Sequence, residues 1–170
     1  MKVCDHIAEF LHEKGIKTVF GIIGAGNAAL FDAIARHGKT EIVCVHHEQS
    51  AVGAAAFYGR TLGSCGVAIV TTGAGSSNAI TGALAALMDS VPVLIISGNE
   101  PARYLDTDCR IVGVQGYKTE QAAKPFTKWS ICYRDLFEPC LLHDAYNVAT
   151  NDRPGPVWLD FPRDLFNAMV

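Results

Sequence analysis

Glu48 is the side chain in this sequence best placed to do chemistry. It follows the run EIVCV (41–45) and the pair His46-His47. It also opens a stretch in which Ser50, Ala51, Gly53, Ala54, Ala55 and Ala56 leave little side chain. A carboxylate in that position meets the positive end of a helix dipole, and the plain reading is a first-turn helix acid. The bare run beside it favours a sharper one. Small residues let another group approach closely, and an ionisable side chain in such an apolar wall marks a functional site.

Two Gly-rich turns come next. Gly24-Ala25-Gly26 follows the first strand-like run and Gly73-Ala74-Gly75 the third, each just before a helical pattern. Such turns present backbone N–H groups to a ligand, although glycine also serves tight geometry alone. Gly24-x-Gly26-x-x-Ala29 satisfies the dinucleotide fingerprint, and Glu48 lies 22 residues beyond Gly26, near the spacing of a ribose-binding acid. Against that rival, a full helical pattern precedes the first strand, and Glu48 runs straight into a close-packing helix that would crowd a ribose. A non-catalytic module of the same fold is the third alternative.

Adjacent histidines diverge along a strand, so His46 and His47 cannot both face one metal and read as structural or as supports for a neighbouring site residue. His6, His12, His37 and His143 have no partner at metal spacing. Ser76, Ser77 and Asn78 are candidates to cap the helix after Gly75. Asn78 lies deep for a cap and is equally a candidate to line the site. No GxSxG elbow occurs.

The elements that position these residues alternate. Val3, Ile7, Phe10 and Leu11 recur at helical spacing before Gly15. TVFGI (18–22), EIVCV (41–45), GVAIVTT (66–72), VPVLIIS (91–97), a run near 127–132 and VWLDF (157–161) read as strands. Helices are expected through Leu30, Phe31 and Ile34 to about Gly38, from Glu48 to Arg60, from 76 to 88, near Glu120 and from 136 to 149. Residues 99 to 117 read as a long functional loop. Apolar strands alternating with helices imply a parallel sheet covered on both faces, with the loops after the strand C-termini along one edge. Gly24, Gly26, Glu48, Gly73, Gly75 and Asn99 all fall at that edge.

The 170 residues suit one domain, and 49% hydrophobic with 18% charged residues suits a packed core. A net charge of −3 gives no basic footprint for nucleic acid. No apolar run approaches the roughly 20 residues that span a bilayer. The six cysteines form no CxxC pair and read as buried free thiols of a cytoplasmic protein.

VFGIIGAG, HHEQSAVGAAAFYGR, GVAIVTTGAGSSN, MDSVPVLIISG, KPFTKWS and RPGPVWLDFPRDL occur in one order, from about Val3 to Leu165. That order resembles the N-terminal, pyrimidine-binding domain of thiamine-diphosphate-dependent enzymes of the acetolactate synthase type. The resemblance implies a three-layer α/β/α fold with a six-stranded parallel sheet. It implies that Glu48 hydrogen-bonds N1′ of the cofactor's aminopyrimidine and favours the imino tautomer that acts as base at C2. The activated cofactor then attacks a 2-oxo acid, which loses carbon dioxide. Gln115 aligns with a family glutamine facing the reacting centre. The cofactor-binding set implied is Ile23, Gly24, Ala25, Glu48, Thr72, Gly73 and Asn78. No histidine pair of the pyruvate decarboxylase kind is present, which favours a carboligase.

Ile23 and Ala74 stand where the family usually has proline and Val114 where it has an aromatic, so donor and acceptor stay open. Lys128 and Trp129 match positions that form the pocket mouth in relatives. The implied cofactors are thiamine diphosphate and Mg2+, with FAD left open. The diphosphate and metal belong to a second domain whose GDG signature does not occur in residues 1–170. The resemblance therefore implies a domain excised from a longer protein, or a split subunit, that is inactive alone. Its partners would be the diphosphate-binding domain and a second copy in a homodimer, docked on an exposed apolar face.

Overall fold

The computed structural model describes residues 1–170 except Asp106, Asp108, Cys109, Val112, Asp135 and Leu136. Its strands are β1 (Thr18–Gly21), β2 (Glu41–Cys44), β3 (Gly66–Val70), β4 (Val93–Asn99), β5 (Trp129–Cys132) and β6 (Pro156–Pro162). Its helices are α1 (Val3–Glu13), α2 (Ala28–His37), α3 (Glu48–Leu62), α4 (Ala74–Met88), α5 (Thr119–Ala123) and α6 (Cys140–Thr150). The strands form one sheet in the order β2-β1-β3-β4-β6-β5, and every pairing is parallel.

Side chains alternate across each strand, so the sheet has two apolar faces. On one face Val67, Ile69, Leu94, Ile96, Leu159 and Phe161 pack with α1, α2 and α6. On the other, Ala68, Val70, Val93, Ile95 and Trp158 pack with α3 and α4. The expected three layers and six parallel strands are therefore present. Because β1 sends the chain to β2 on one side while β3 lies on its other side, a crevice opens beyond the C-termini of β1 and β3.

Helix α3 shows what its small residues do first. A Cβ on Gly66 would lie 2.0 Å from the Ala55 carbonyl oxygen, and one on Gly82 of α4 would lie 2.6 Å from Val52 Cβ. Ala51, Val52 and Ala55 are fully buried. Much of the bare surface read as making room for a ligand is taken up by β3 and α4. A Cβ on Gly53, within the helix, would meet nothing within 4 Å.

Some boundaries differ from expectation. α4 begins at Ala74 because Gly73, at φ 70° in the left-handed region, serves as its N-cap. Ser76 and Ser77 are no caps: their hydroxyls donate back to the Gly73 and Ala74 carbonyls at 2.9 and 3.2 Å. The helix expected from 136 begins at Cys140, because a residue before proline disfavours helical geometry and Pro139 is the N-cap. Its expected first residue, Leu136, lies outside the described residues. Of the cysteines, Cys4 and Cys65 are buried and Cys132 is half-buried. Cys44 and Cys140 are exposed, which corrects the expectation for those two: one ends the outermost strand and the other starts a helix. Cys109 lies outside the described residues.

The chain ends meet. Lys2 and Met169 form an antiparallel bridge, and the Val3 and Val170 amides donate to the Ala168 and Met1 carbonyls at 3.0 and 2.9 Å. Among the described residues, no helix is long and apolar enough to cross a membrane.

Candidate active site

β2 ends at Cys44, and the chain turns through His46 and His47 into α3. His47 is extended and caps the helix, its Nδ1 accepting from the Gln49 amide at 3.2 Å. That structural role is the one expected for it. The cap fixes Glu48 as the first helical residue, with its side chain 9% exposed. Asn78, one turn into α4, donates from Nδ2 to Glu48 Oε2 at 3.0 Å. A Cβ on Gly75 would lie 3.2 Å from Glu48 Oε1, so the absent side chain leaves a gap beside that oxygen. Among the described residues no donor hydrogen-bonds Oε1. The result is a nearly buried carboxyl with one oxygen held and the other available.

The two Gly-rich turns lock into each other beside it. The Gly26 amide donates to Thr71 Oγ1 at 3.2 Å. Cβ atoms on Gly24 and Gly75 would each fall 2.7 Å from Thr71 side-chain carbons, and one on Gly26 would fall 2.2 Å from Thr72 Oγ1. Thr71, which the sequence reading passed over, therefore sits between Gly24 and Gly75. The Gly24 amide is taken by Asn27 Oδ1 at 2.8 Å. Both glycine N–H groups are thus engaged within the protein, and a pyrophosphate would have to displace them. Glu48 lies inside α3 and faces α4, not at the end of β2 where a ribose-binding acid belongs. The dinucleotide reading is set aside on these two grounds.

Of the expected cofactor set, Gly24, Thr72, Gly73, Glu48 and Asn78 lie in this one contiguous group. Ile23 and Ala25 sit exposed on the first turn. Gln115 arrives on the loop after β4: its Oε1 accepts from the Ala74 amide at 3.3 Å, and its Cβ would lie 2.5 Å from one on Gly73. Residues from four loops at one sheet edge thus form a single site. Lys128 and Trp129 do not join it. Lys128 Nζ donates to the carbonyls of Val148 and of Asn151 (2.9 Å for the latter), capping the end of α6 at the opposite sheet edge. It stands before the first residue of β5, and parallel pairing places strand starts away from the crevice.

A buried polar network braces the site from below. Trp158 Nε1 donates to Ser97 Oγ at 2.8 Å, and Ser97 Oγ donates to Asp160 Oδ1. Asn99 Nδ2 donates to Asp160 Oδ2 at 2.7 Å and to the Tyr117 carbonyl at 3.0 Å. The Tyr117 hydroxyl meets Ser76 Oγ at 3.0 Å, which returns the network to the start of α4. Burial pushes the Asp160 carboxyl up to about 7, against the opposing effect of its Ser97 and Asn99 hydrogen bonds. Burial raises the Cys132 thiol, as does the negative field of Asp160 and Glu120. Glu120, Cys132 and Asp160 place one potential ligand atom each within 4.8 Å of the others. Asp160 is already hydrogen-bonded and Glu120 pairs with Arg134 at 2.8 Å, so the trio is a saturated network. An acid inside the apolar strand VWLDF was the sequence signal for it.

The thiamine pyrophosphate enzyme N-terminal TPP-binding domain model matches residues 1–124. The acetolactate synthase large subunit of Haemophilus influenzae is 36% identical over 168 residues, covering 96% of this chain and 28% of that protein. Acetolactate synthase isozyme 2 large subunit of Escherichia coli is 38% identical over 97% of this chain and 29% of its own length. Chloroplastic acetolactate synthase of Arabidopsis thaliana is 34% identical over 96% of this chain and 24% of its own. The chain spans less than a third of the length of these curated relatives. On the family match over residues 1–124 and these identities, this chain belongs to the thiamine pyrophosphate enzymes, as their N-terminal TPP-binding domain.

Proposed function

We propose that the chain holds the aminopyrimidine of thiamine diphosphate in a 2-oxo acid decarboxylase or carboligase resembling acetolactate synthase. Glu48 is the acid at N1′. The observation that carries this is the Glu48 carboxyl itself, nearly buried, held through Oε2 by Asn78 and, among the described residues, left without a donor at Oε1 beside Gly75. That donor set fits a ring nitrogen that shares a proton with a carboxyl. When bound, the cofactor supplies a nucleophilic carbon and an electron sink for decarboxylation. Glu48 would hold or share the proton at N1′, Asn78 orients the carboxyl, and Gln115, seated on the Ala74 amide, would face the reacting centre from the far loop.

The diphosphate and Mg2+ are assigned to a domain outside these residues. The docking face is assigned to α3 and α4, where Phe57 is 75% and Met88 61% exposed. It would receive that domain or a second copy. Reduced thiols suit the cytoplasm.

The test is Glu48→Gln in the full polypeptide, supplied with thiamine diphosphate, Mg2+ and 2-oxo acids. Losing a general acid–base group should cost at least about 100-fold in kcat. Turnover at the unsubstituted rate would overturn the proposal.

A further inference from the structure

Gln115 stands on a turn gripped at both ends by Asn99, the last residue of β4, and by Glu100 just beyond it. Beyond it, the Tyr117 carbonyl accepts from Asn99. Before it, the Val114 amide donates to Glu100 Oε1 at 3.3 Å. Glu100 is 7% exposed, and its Oε2 lies 3.5 Å from the Arg163 guanidinium. Oε1 is thus left to the turn. From the outer side, the Arg110 guanidinium donates to the Gly113 and Val114 carbonyls at 3.4 Å.

The glycines around Gln115 fit the Glu100 side chain. A Cβ on Gly113 would fall 2.5 Å from Glu100 Cδ, and one on Gly116 would fall 2.6 Å from Ile111 Cγ2 and 2.7 Å from Glu100 Cγ. Gly113 also has φ +125°, which L side chains rarely adopt. The turn therefore closes over Glu100 only because both neighbours lack side chains. A carboxylate suits the task, since a charged acceptor binds an amide more strongly than a neutral one. The hydrogen bond it makes decides where the next residue, Gln115, points.

We propose that Glu100 is a positioning residue for Gln115: its carboxylate holds the 113–116 turn so that the glutamine seats against Gly73 and Ala74. This deepens the proposed function and rests on it for the importance of Gln115, but the positioning itself is measurable without cofactor.

The experiment compares Glu100→Ala, Glu100→Gln and Gly116→Ala in the full polypeptide. Amide exchange across 113–117 is read first, without cofactor. Losing the anchor should speed exchange about tenfold in Glu100→Ala, and in Gly116→Ala, whose new methyl presses on both Ile111 and the acid. Glu100→Gln keeps an acceptor and the shape, and should stay within about threefold. With thiamine diphosphate and a 2-oxo acid, Glu100→Ala should lose about tenfold in kcat with cofactor affinity within about twofold, and Glu100→Gln should recover most of the rate. Unchanged exchange in Glu100→Ala and Gly116→Ala overturns the proposal, and so does a loosened turn with unchanged kcat. Failure of the cofactor reading is seen elsewhere, as full turnover in Glu48→Gln, while the exchange measurement still decides whether Glu100 holds the turn.

Discussion

Asn78 donates to Glu48 across 3.0 Å, so the first residue of α3 and a residue one turn into α4 bring a carboxyl and an amide to one point. Asn78 is exposed and makes no other side-chain hydrogen bond among the described residues. Its work should therefore show in function more than in stability. Asn78→Ala should change unfolding free energy by less than about 1 kcal/mol and lower cofactor-dependent turnover about tenfold. Asn78→Asp, which sets two carboxylates face to face, should lower turnover further. Urea unfolding and steady-state kinetics on the same samples check both.

Two glycines on or beside α3 should respond in opposite directions. Gly53 faces open space in a helix, so Gly53→Ala should stabilise the chain by about 0.5–1 kcal/mol. At Gly66 a methyl would meet the Ala55 carbonyl at 2.0 Å, and backbone cannot step aside. Gly66→Ala should cost upwards of about 2 kcal/mol. Paired denaturation curves read the contrast. If α3 and α4 form the docking face, Gly53→Ala should also weaken association, measured by sedimentation.

The buried acid Asp160 predicts a pH dependence. With its carboxyl lifted to about 7, the folded chain keeps a proton that the unfolded chain releases near pH 3.9. Between those values folding takes up a proton, so stability falls as pH rises, by at most about 1.4 kcal/mol per pH unit. Above the folded value both states are ionised and this contribution levels off. Asp160→Asn removes the titration. Urea unfolding from pH 4 to 8 should show a flatter profile than the unsubstituted chain, and an identical slope would remove the argument.

Lys128 offers a test of location. Its ammonium caps the carbonyl end of α6, so Lys128→Met should cost about 1 kcal/mol in stability. Turnover per folded molecule should not change, because the residue stands at the far sheet edge. A selective loss of kcat would place it at the site after all.

The layer pattern was legible because buried parallel strands announce themselves. GVAIV and VLII are apolar throughout, and the first is followed within three residues by Gly73 and a helical repeat. The Glu48 position was legible for the same local reason, a strand exit running into a helix start. The partner on its carboxyl was less so. Asn78 is 30 residues away in sequence, and the packing of α3 on α4, with Val52 against Gly82, brings the two together.

Glu100 was not legible at all. It lies in a polar loop where an acid is unremarkable, and its burial depends on a return of the chain thirteen residues later. The small residues of α3 misled in part, since a helix made bare for a ligand and one made bare for a strand have the same composition. Lys128 misled because a matching residue carries no information about which sheet edge it serves.

The antiparallel bridge between Lys2 and Met169 has a use in engineering. Ends this close can be sealed with a short linker, and the chain reopened at the exposed turn after α3, around Gly63. Such a circular permutant would keep β1, β3 and the crevice between them intact. It would also move the point of attachment for a fused partner from beside α1 to the opposite rim of the sheet.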